Sequence, residues 1–284
     1  MYCYHNENLL KDKDISISFD DFGFQRGNTV FELLRVYSGK PYMLDDHINR
    51  LFRSLEICFL QIAYTKDDIK SKILSLISKN SLKDSVVKIY VTQGFMKSPA
   101  WSLAVNGNFE PQVYIIEKEF TPYSDKFPAH EKYYLEGMSL ACVEAERSLP
   151  EAKTINYAVA VVESSKLINQ GYEDIIYISR NDYVTECSRS NIFFVKDGVV
   201  MTPKSGMLEG VTRKSVLSIC IKNKIPYKVQ DIKRDDIYLM DEVFMTGSTI
   251  ELMPVCCVDD KKWDVKTFKV YKKLFDLFKE EILV

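Results

Sequence analysis

Short strand patterns and short helix patterns alternate along this chain of 284 residues without a steady strand–helix–strand rhythm. A doubly wound parallel sheet needs that rhythm, because every parallel crossover consumes a helix. Its lack points to an α+β chain, and the length suits two lobes, each with a core of its own. "DISISF" (residues 14–19) alternates with period two and reads as a strand. "TVFELLRVYSGKPYML" reads as two strands turning at Ser38-Gly39-Lys40. A helix follows, opened by Asp45 or Asp46 as N-cap, with Ile48, Leu51, Leu55 and Cys58 on one face. A second amphipathic helix covers residues 66–78, and the strands "SVVKIYVTQG" and "PQVYIIEKEF" flank a loop at 99–108.

"TPYSDKFPAHEKYYLEG" has two prolines and no clear period, which marks a connection between the lobes. The expected division is a small N-terminal α+β domain at 1–120, a connection at 121–135 and a larger C-terminal domain at 136–284. The second domain begins with the strand "MSLACVEAERS" and a helix reaching about Gln170, stopped by Gly171. A meander of "DIIYIS", "YVTEC", "NIFFV" and "VVMTP" comes next, then a helix from about Thr212. The strands "PYKVQDI" and "EVFMTG" and a C-terminal helix close the chain.

Composition narrows the function. A formal net charge of −2 gives no electrostatic reason for nucleic acid or an anionic membrane as partner. No stretch approaches the roughly 20 apolar residues of a membrane helix, and "MYCYHNENLL" lacks a signal-peptide layout, so a cytoplasmic protein is expected. The seven cysteines are odd in number and none is spaced as in a zinc site; they read as scattered reduced thiols. With three histidines, a histidine-based metal centre or a Ser-His-Asp triad has little support, and no metal is expected. Chemistry then falls to lysine, carboxylates, hydroxyls or a bound cofactor.

Lys153 is hard to place. In "LPEAKTINYAVAVV" it sits between a proline-led turn and a nearly uncharged run, residues 156–162, that looks suited to burial. It is either a solvated residue before a helix or an amine held inside for chemistry, since a buried ammonium pairs or loses its proton. Glu186 shares a strand face with Val184, as a buried acid in need of a partner or an edge residue facing water. Gly210-Val211-Thr212 at a helix start and Gly247-Ser248-Thr249 at a strand end read as ordinary turns or as anion sites. Arg50 lies at the flank of its helix's apolar stripe beside His47 and Ser54, where it can fork onto a phosphate or cover apolar surface.

Four separated segments, in order, carry a resemblance. They are "DFGFQRGNTVFELLRVYSGKPYMLDDHINRL", "AKTINYAVAVVESSKLINQGYEDIIYISRNDYVTECSRSNIFFV", "TPKSGMLEGVTRKSV" and "DEVFMTGSTIELMPV". Over nearly its whole length the chain resembles the class IV aminotransferases, which include branched-chain aminotransferase, D-amino acid aminotransferase and aminodeoxychorismate lyase. The resemblance implies a two-lobed fold-type IV enzyme, D-amino acid aminotransferase-like, with pyridoxal 5'-phosphate between the lobes and a homodimer as the working form. Lys153 then bonds the cofactor covalently and moves the α-proton, and Glu186 pairs with the protonated pyridine nitrogen. Arg50 holds the phosphate, with Val211, Thr212 and Ser248 completing its cradle, and Tyr157 bonds the ring hydroxyl.

The pocket residues separate the family's activities. D-amino acid aminotransferases carry an arginine and a histidine after the strand end that reads "TQG" here, where this chain has Ser98 and Ala100. Branched-chain enzymes carry a tyrosine and an arginine where this chain has Val86 and Lys88, whereas Arg35 and Phe31 match their arginine and apolar wall. Asn28 and Thr29 depart mildly from the family's "RGDGVFE". Phe31, Arg35, Lys88 and Thr249 are the expected substrate contacts. The expected reaction exchanges an amino group between an apolar, branched-chain-type L-amino acid and a 2-oxo acid, with aminodeoxychorismate lyase as the alternative.

Overall fold

A computed structural model describes residues 1–98, 108–120 and 128–283. The chain divides into two compact units, residues 1–121 with 151–155, and residues 122–150 with 156–284.

The first unit is an antiparallel sheet of six strands backed by two helices. Its strands are β1 (Tyr2–His5), β2 (Asn8–Lys11), β3 (Thr29–Tyr37), β4 (Lys40–Pro41), β5 (Ser85–Met96) and β6 (Phe109–Glu119), in the order β2-β1-β6-β5-β3-β4. A short helix, α1 (Phe22–Arg26), precedes β3; α2 (Leu44–Ile57) and α3 (Lys66–Asn80) pack on one face. That face reads Val30, Leu34 and Val36 on β3, and Val87, Ile89 and Val91 on β5, all fully buried. Ile48, Leu51 and Leu55 of α2 and Ile69, Ile73 and Leu76 of α3 fill the space above it, as period-2 and period-3.6 patterns require. The opposite face carries Phe31, Leu33 and Arg35 across from Tyr90, Lys88 and Val86.

Residues 151–155 join this sheet at β3. Phe31 donates its amide to the Lys153 carbonyl at 2.8 Å, Ile155 donates to Thr29 at 3.2 Å, and Val30 bridges Thr154. A fragment far along the chain thereby sets Lys153 beside Phe31.

Two local expectations fail. Residues 15–18 form no strand, and Ile17 and Phe19 are 57% and 76% exposed; β1 and β2, formed by the preceding residues, take the sheet edge instead. The N-cap of α2 is Met43 with φ 47°, and Asp45 and Asp46 lie inside the first turn, where carboxylates still favour the helix dipole. Part of the expected connection at 121–135 is helical, in a helix that runs Pro128–Glu136; its residues 121–127 and most of the 99–108 loop lie outside the described residues.

Gly94 marks a bulge where the β5–β6 register shifts. Its φ is +72°, and a Cβ there would stand 1.7 Å from the Glu110 carbonyl oxygen. Buried Asp21 ties this point down, accepting from the Thr92 hydroxyl at 2.6 Å, the Gly23 amide at 2.7 Å and the Gly94 amide at 3.2 Å. Gly94→Ala should cost at least about 2 kcal/mol, from the left-handed backbone plus the clash, read as a lower denaturation midpoint.

The second unit holds a mixed sheet of nine strands. They are β7 (Met138–Glu144), β8 (Asp174–Ile178), β9 (Val184–Cys187), β10 (Asn191–Lys196), β11 (Val199–Thr202), β12 (Tyr227–Val229), β13 (Glu242–Gly247), β14 (Glu251–Val258) and β15 (Lys261–Lys262). Their order is β12-β11-β10-β13-β14-β7-β8-β9, with β15 on β14. The helices are α4 (Pro128–Glu136), α5 (Ala158–Leu167), α6 (Val211–Lys222) and α7 (Lys269–Leu283). Phe193 and Phe244 stack in the interior at 5.1 Å, and Tyr271 of α7 packs on Phe244.

The uncharged run at 156–162, most of which forms the first turns of α5, is not buried as its composition suggests. Ala160 is buried, but Val159, Val161 and Val162 are 47%, 61% and 51% exposed in the single chain. All seven cysteines are free. Among the described residues no helix is long and apolar enough to cross a membrane, and no His/Cys/Asp/Glu group could hold a metal ion.

Candidate active site

In the first unit Lys153 lies within electrostatic reach of a carboxylate that sequence reasoning missed. Lys153 is partly buried, and its Nζ stands 4.5 Å from the centre of the Phe31 ring, which stacks on Tyr90 at 5.8 Å. Glu32, on the covered face of β3, is fully buried. Its Oε1 accepts from Arg50 Nε at 3.1 Å and Nη2 at 2.8 Å, and its Oε2 bonds His47 Nδ1 at 2.5 Å.

Burial pushes the Glu32 carboxyl up, but Arg50, His47 and Lys153 together outweigh it and hold the group below the usual carboxylate range. Burial lowers His47, and Glu32 opposes that only in part. The pair therefore rests as carboxylate and neutral imidazole. The signal for Glu32 was present in the sequence: like Glu186, it shares a strand face with valine and leucine.

Arg50, on α2, is tied to Glu32 of β3, with the arginine side chain 10% exposed. Arg35 lies four residues along β3 from Phe31, 2% exposed, with its guanidinium 4.6 Å from the Tyr37 ring and 4.3 Å from Phe120. Among the described residues its Nε and Nη1 have no hydrogen-bond partner. Lys88 sits opposite Leu33, half-buried. Ser98 donates its hydroxyl to Asn108 Oδ1 at 2.7 Å, and Ala100 lies outside the described residues.

In the second unit Glu186 is 4% exposed, although its strand β9 ends the sheet. Arg147, in the loop after β7, donates from Nη1 to Glu186 Oε1 at 3.0 Å. Nothing periodic singles out a loop arginine, so this partner was not legible in advance. Tyr177 is buried, and burial pushes its phenol up to about 12, with Arg147 opposing the rise and Glu186 and Tyr157 adding to it. Tyr157 occupies the N-cap of α5 and packs with Ala160 and Tyr177.

The N-cap of α6 is Gly210, and no side chain caps the helix. A Cβ at Gly210 would meet Asn191 Oδ1 at 2.0 Å, so a larger residue there would have to displace Asn191 from its bond to the Leu208 carbonyl. Asn191 pairs with Thr246, which puts the start of α6, with buried Val211 and Thr212, near the end of β13 that leads to Ser248 and Thr249.

The model of the amino-transferase class IV family matches residues 29–258. A D-alanine aminotransferase of Listeria monocytogenes is 30% identical over 282 residues, covering 98% of this chain and 95% of that protein. The chain belongs to the class IV aminotransferases.

Among solved structures, a branched-chain aminotransferase of the archaeon Thermoproteus uzoniensis with norvaline has a TM-score of 0.87 at 26% identity, covering 100% of this chain and 95% of that one. The T.th. branched-chain amino acid aminotransferase with pyridoxamine 5'-phosphate has a TM-score of 0.88 at 25% identity, covering 99% of this chain and 93% of that one. The fold is that of the fold-type IV aminotransferases, and the enzyme is a pyridoxal-phosphate-dependent transferase.

The donor set fits this cofactor. A helix start with no side-chain cap and a nearby hydroxyl turn suit a phosphate. A buried carboxylate steadied by arginine suits a ring nitrogen that must stay protonated, and a half-buried lysine suits the aldehyde.

Proposed function

We propose that this class IV aminotransferase moves an amino group between an apolar L-amino acid of branched-chain type and a 2-oxo acid. The observation that carries the reading is the Phe31–Tyr90 stack beside the Lys153 amine, an apolar wall where a substrate side chain would rest. Ser98 supports it too: its hydroxyl is engaged by Asn108 and offers no positive charge, unlike the arginine of the D-amino acid enzymes.

When bound, pyridoxal phosphate supplies an aldehyde for the amino group and a ring that accepts the electron pair left by the α-proton. Lys153 would hold the group through its Nζ, and the same amine, once free, would take a proton and return it as general base and acid. Glu186 keeps a proton at the ring nitrogen, and Arg147, bonded to its Oε1 at 3.0 Å, fixes the orientation of the carboxylate. Arg50, the first N–H groups of α6 at Val211 and Thr212, and the Ser248 hydroxyl bind the phosphate. Tyr157 bonds the ring hydroxyl. Phe31 and Thr249 contact the substrate, with Arg35 and Lys88 supplying positive charge for carboxylates.

The enzyme acts as a homodimer in the cytoplasm. The exposed valines of α5 support the first point, since a second copy would remove that apolar face from water. Seven free thiols support the second.

A substrate panel tests the specificity. L-leucine, L-isoleucine or L-valine should each convert the cofactor to its amine form, with kcat/KM at least about tenfold above D-alanine, as about 1.4 kcal/mol of differential binding would give. A preference for D-alanine would overturn the proposal. Pyruvate release from aminodeoxychorismate without transamination would assign the lyase.

A further inference from the structure

Three polar side chains of α2 form one buried stripe: His47, Arg50 and Ser54, at the spacing of a single helix face. His47 is 1% exposed and Ser54 not at all. An apolar stripe runs beside them and suffices for packing, so the polar groups call for another reason. Each engages one of two elements. His47 and Arg50 both bond Glu32 of β3, and Ser54 Oγ accepts the backbone amide of Lys153 at 3.0 Å.

We propose that Glu32, His47 and Ser54 are positioning residues that hold the Lys153 amine and the Arg50 guanidinium in fixed relation on one helix. The inference rests on the reading that Lys153 bonds the cofactor. Arg50 and Ser54 are four residues apart, one turn of α2, so the helix carries the arginine and the anchor of the lysine backbone together. The far side of that anchor is fixed by Phe31, whose amide bonds the Lys153 carbonyl at 2.8 Å. Glu32 contacts Arg50 with both oxygens, which restricts the guanidinium to one orientation.

The stripe also sets charge. The groups facing one another are Glu32 from β3, His47 and Arg50 from α2, and Lys153 from the segment beside β3. With His47 neutral, Glu32 is the one negative charge among the four. Without it, the group loses its carboxylate while Arg50 stays, and the positive form of the lysine nitrogen is disfavoured.

The test is a pH titration of the cofactor absorption band in the holoenzyme, together with steady-state kinetics. Glu32→Gln should lower the titration midpoint by about one pH unit or more, the usual consequence of losing a nearby opposite charge. Glu32→Asp, which keeps the charge, should recover most of that shift. Ser54→Ala should leave the midpoint in place, lower kcat about tenfold and keep KM within about twofold, because it loosens the lysine backbone and not the substrate pocket.

A folded, cofactor-loaded Glu32→Gln enzyme that titrates as wild type overturns the proposal. Where Glu32→Gln does not fold, an unchanged kcat in Ser54→Ala overturns it. A wild-type enzyme whose cofactor is not joined to Lys153 sinks the functional reading instead, which keeps the two failures apart.

Discussion

Lys153→Ala is expected to lose transamination by at least about a thousandfold, within the roughly 10²–10⁴ that a positioned acid–base group supplies, before the loss of covalent attachment is added. The fold should survive. The backbone of Lys153 is held by its own amide on Ser54 Oγ and by the Phe31 amide on its carbonyl, and truncating the side chain leaves both bonds in place. Cofactor binding should weaken but persist, because Arg50 and the start of α6 do not depend on the lysine side chain. Lys153→Arg should fail to rescue, since a guanidinium stays protonated and cannot take a proton from carbon. Single-turnover absorbance with L-leucine checks the point. Activity within tenfold of wild type in the folded variant would move the acid–base role to another group.

The second large effect belongs to Glu186. Glu186→Gln keeps the shape and one acceptor for Arg147 but removes the charge that favours a protonated ring nitrogen. Turnover should fall about a hundredfold or more, as expected when about 3 kcal/mol of transition-state stabilisation goes. The α-proton step should then limit the rate. A donor deuterated at the α-carbon should show a larger isotope effect in Glu186→Gln than in wild type. Stability should fall by only about 1–3 kcal/mol, the range for a buried polar group left under-satisfied. An equal isotope effect in both proteins would show that Glu186 acts elsewhere.

Much of this was legible because strand alternation and helix periodicity record burial. The face of α2 at Ile48, Leu51 and Leu55, the strands of the meander and the α6 start after Gly210 all stand where their patterns put them. The lapses have local causes. "DISISF" alternates but meets no strand partner, so its pattern has nothing to pack on. The valines after Tyr157 show that an uncharged run need not be core. Glu32 was hidden in plain sight, because a carboxylate among valines on β3 carries the same signature that drew attention to Glu186. Arg147 was not readable, since a loop residue has no period and finds its partner only through the fold.

The central claim is that Lys153 carries the cofactor, and borohydride reduction of the holoenzyme tests it most directly. Trypsin cuts after Arg147 and Lys166 but not after a modified Lys153, so the account predicts one labelled peptide, residues 148–166, with the mass of the reduced cofactor on Lys153. The label on any other lysine, with Lys153 cleaved normally, would contradict it.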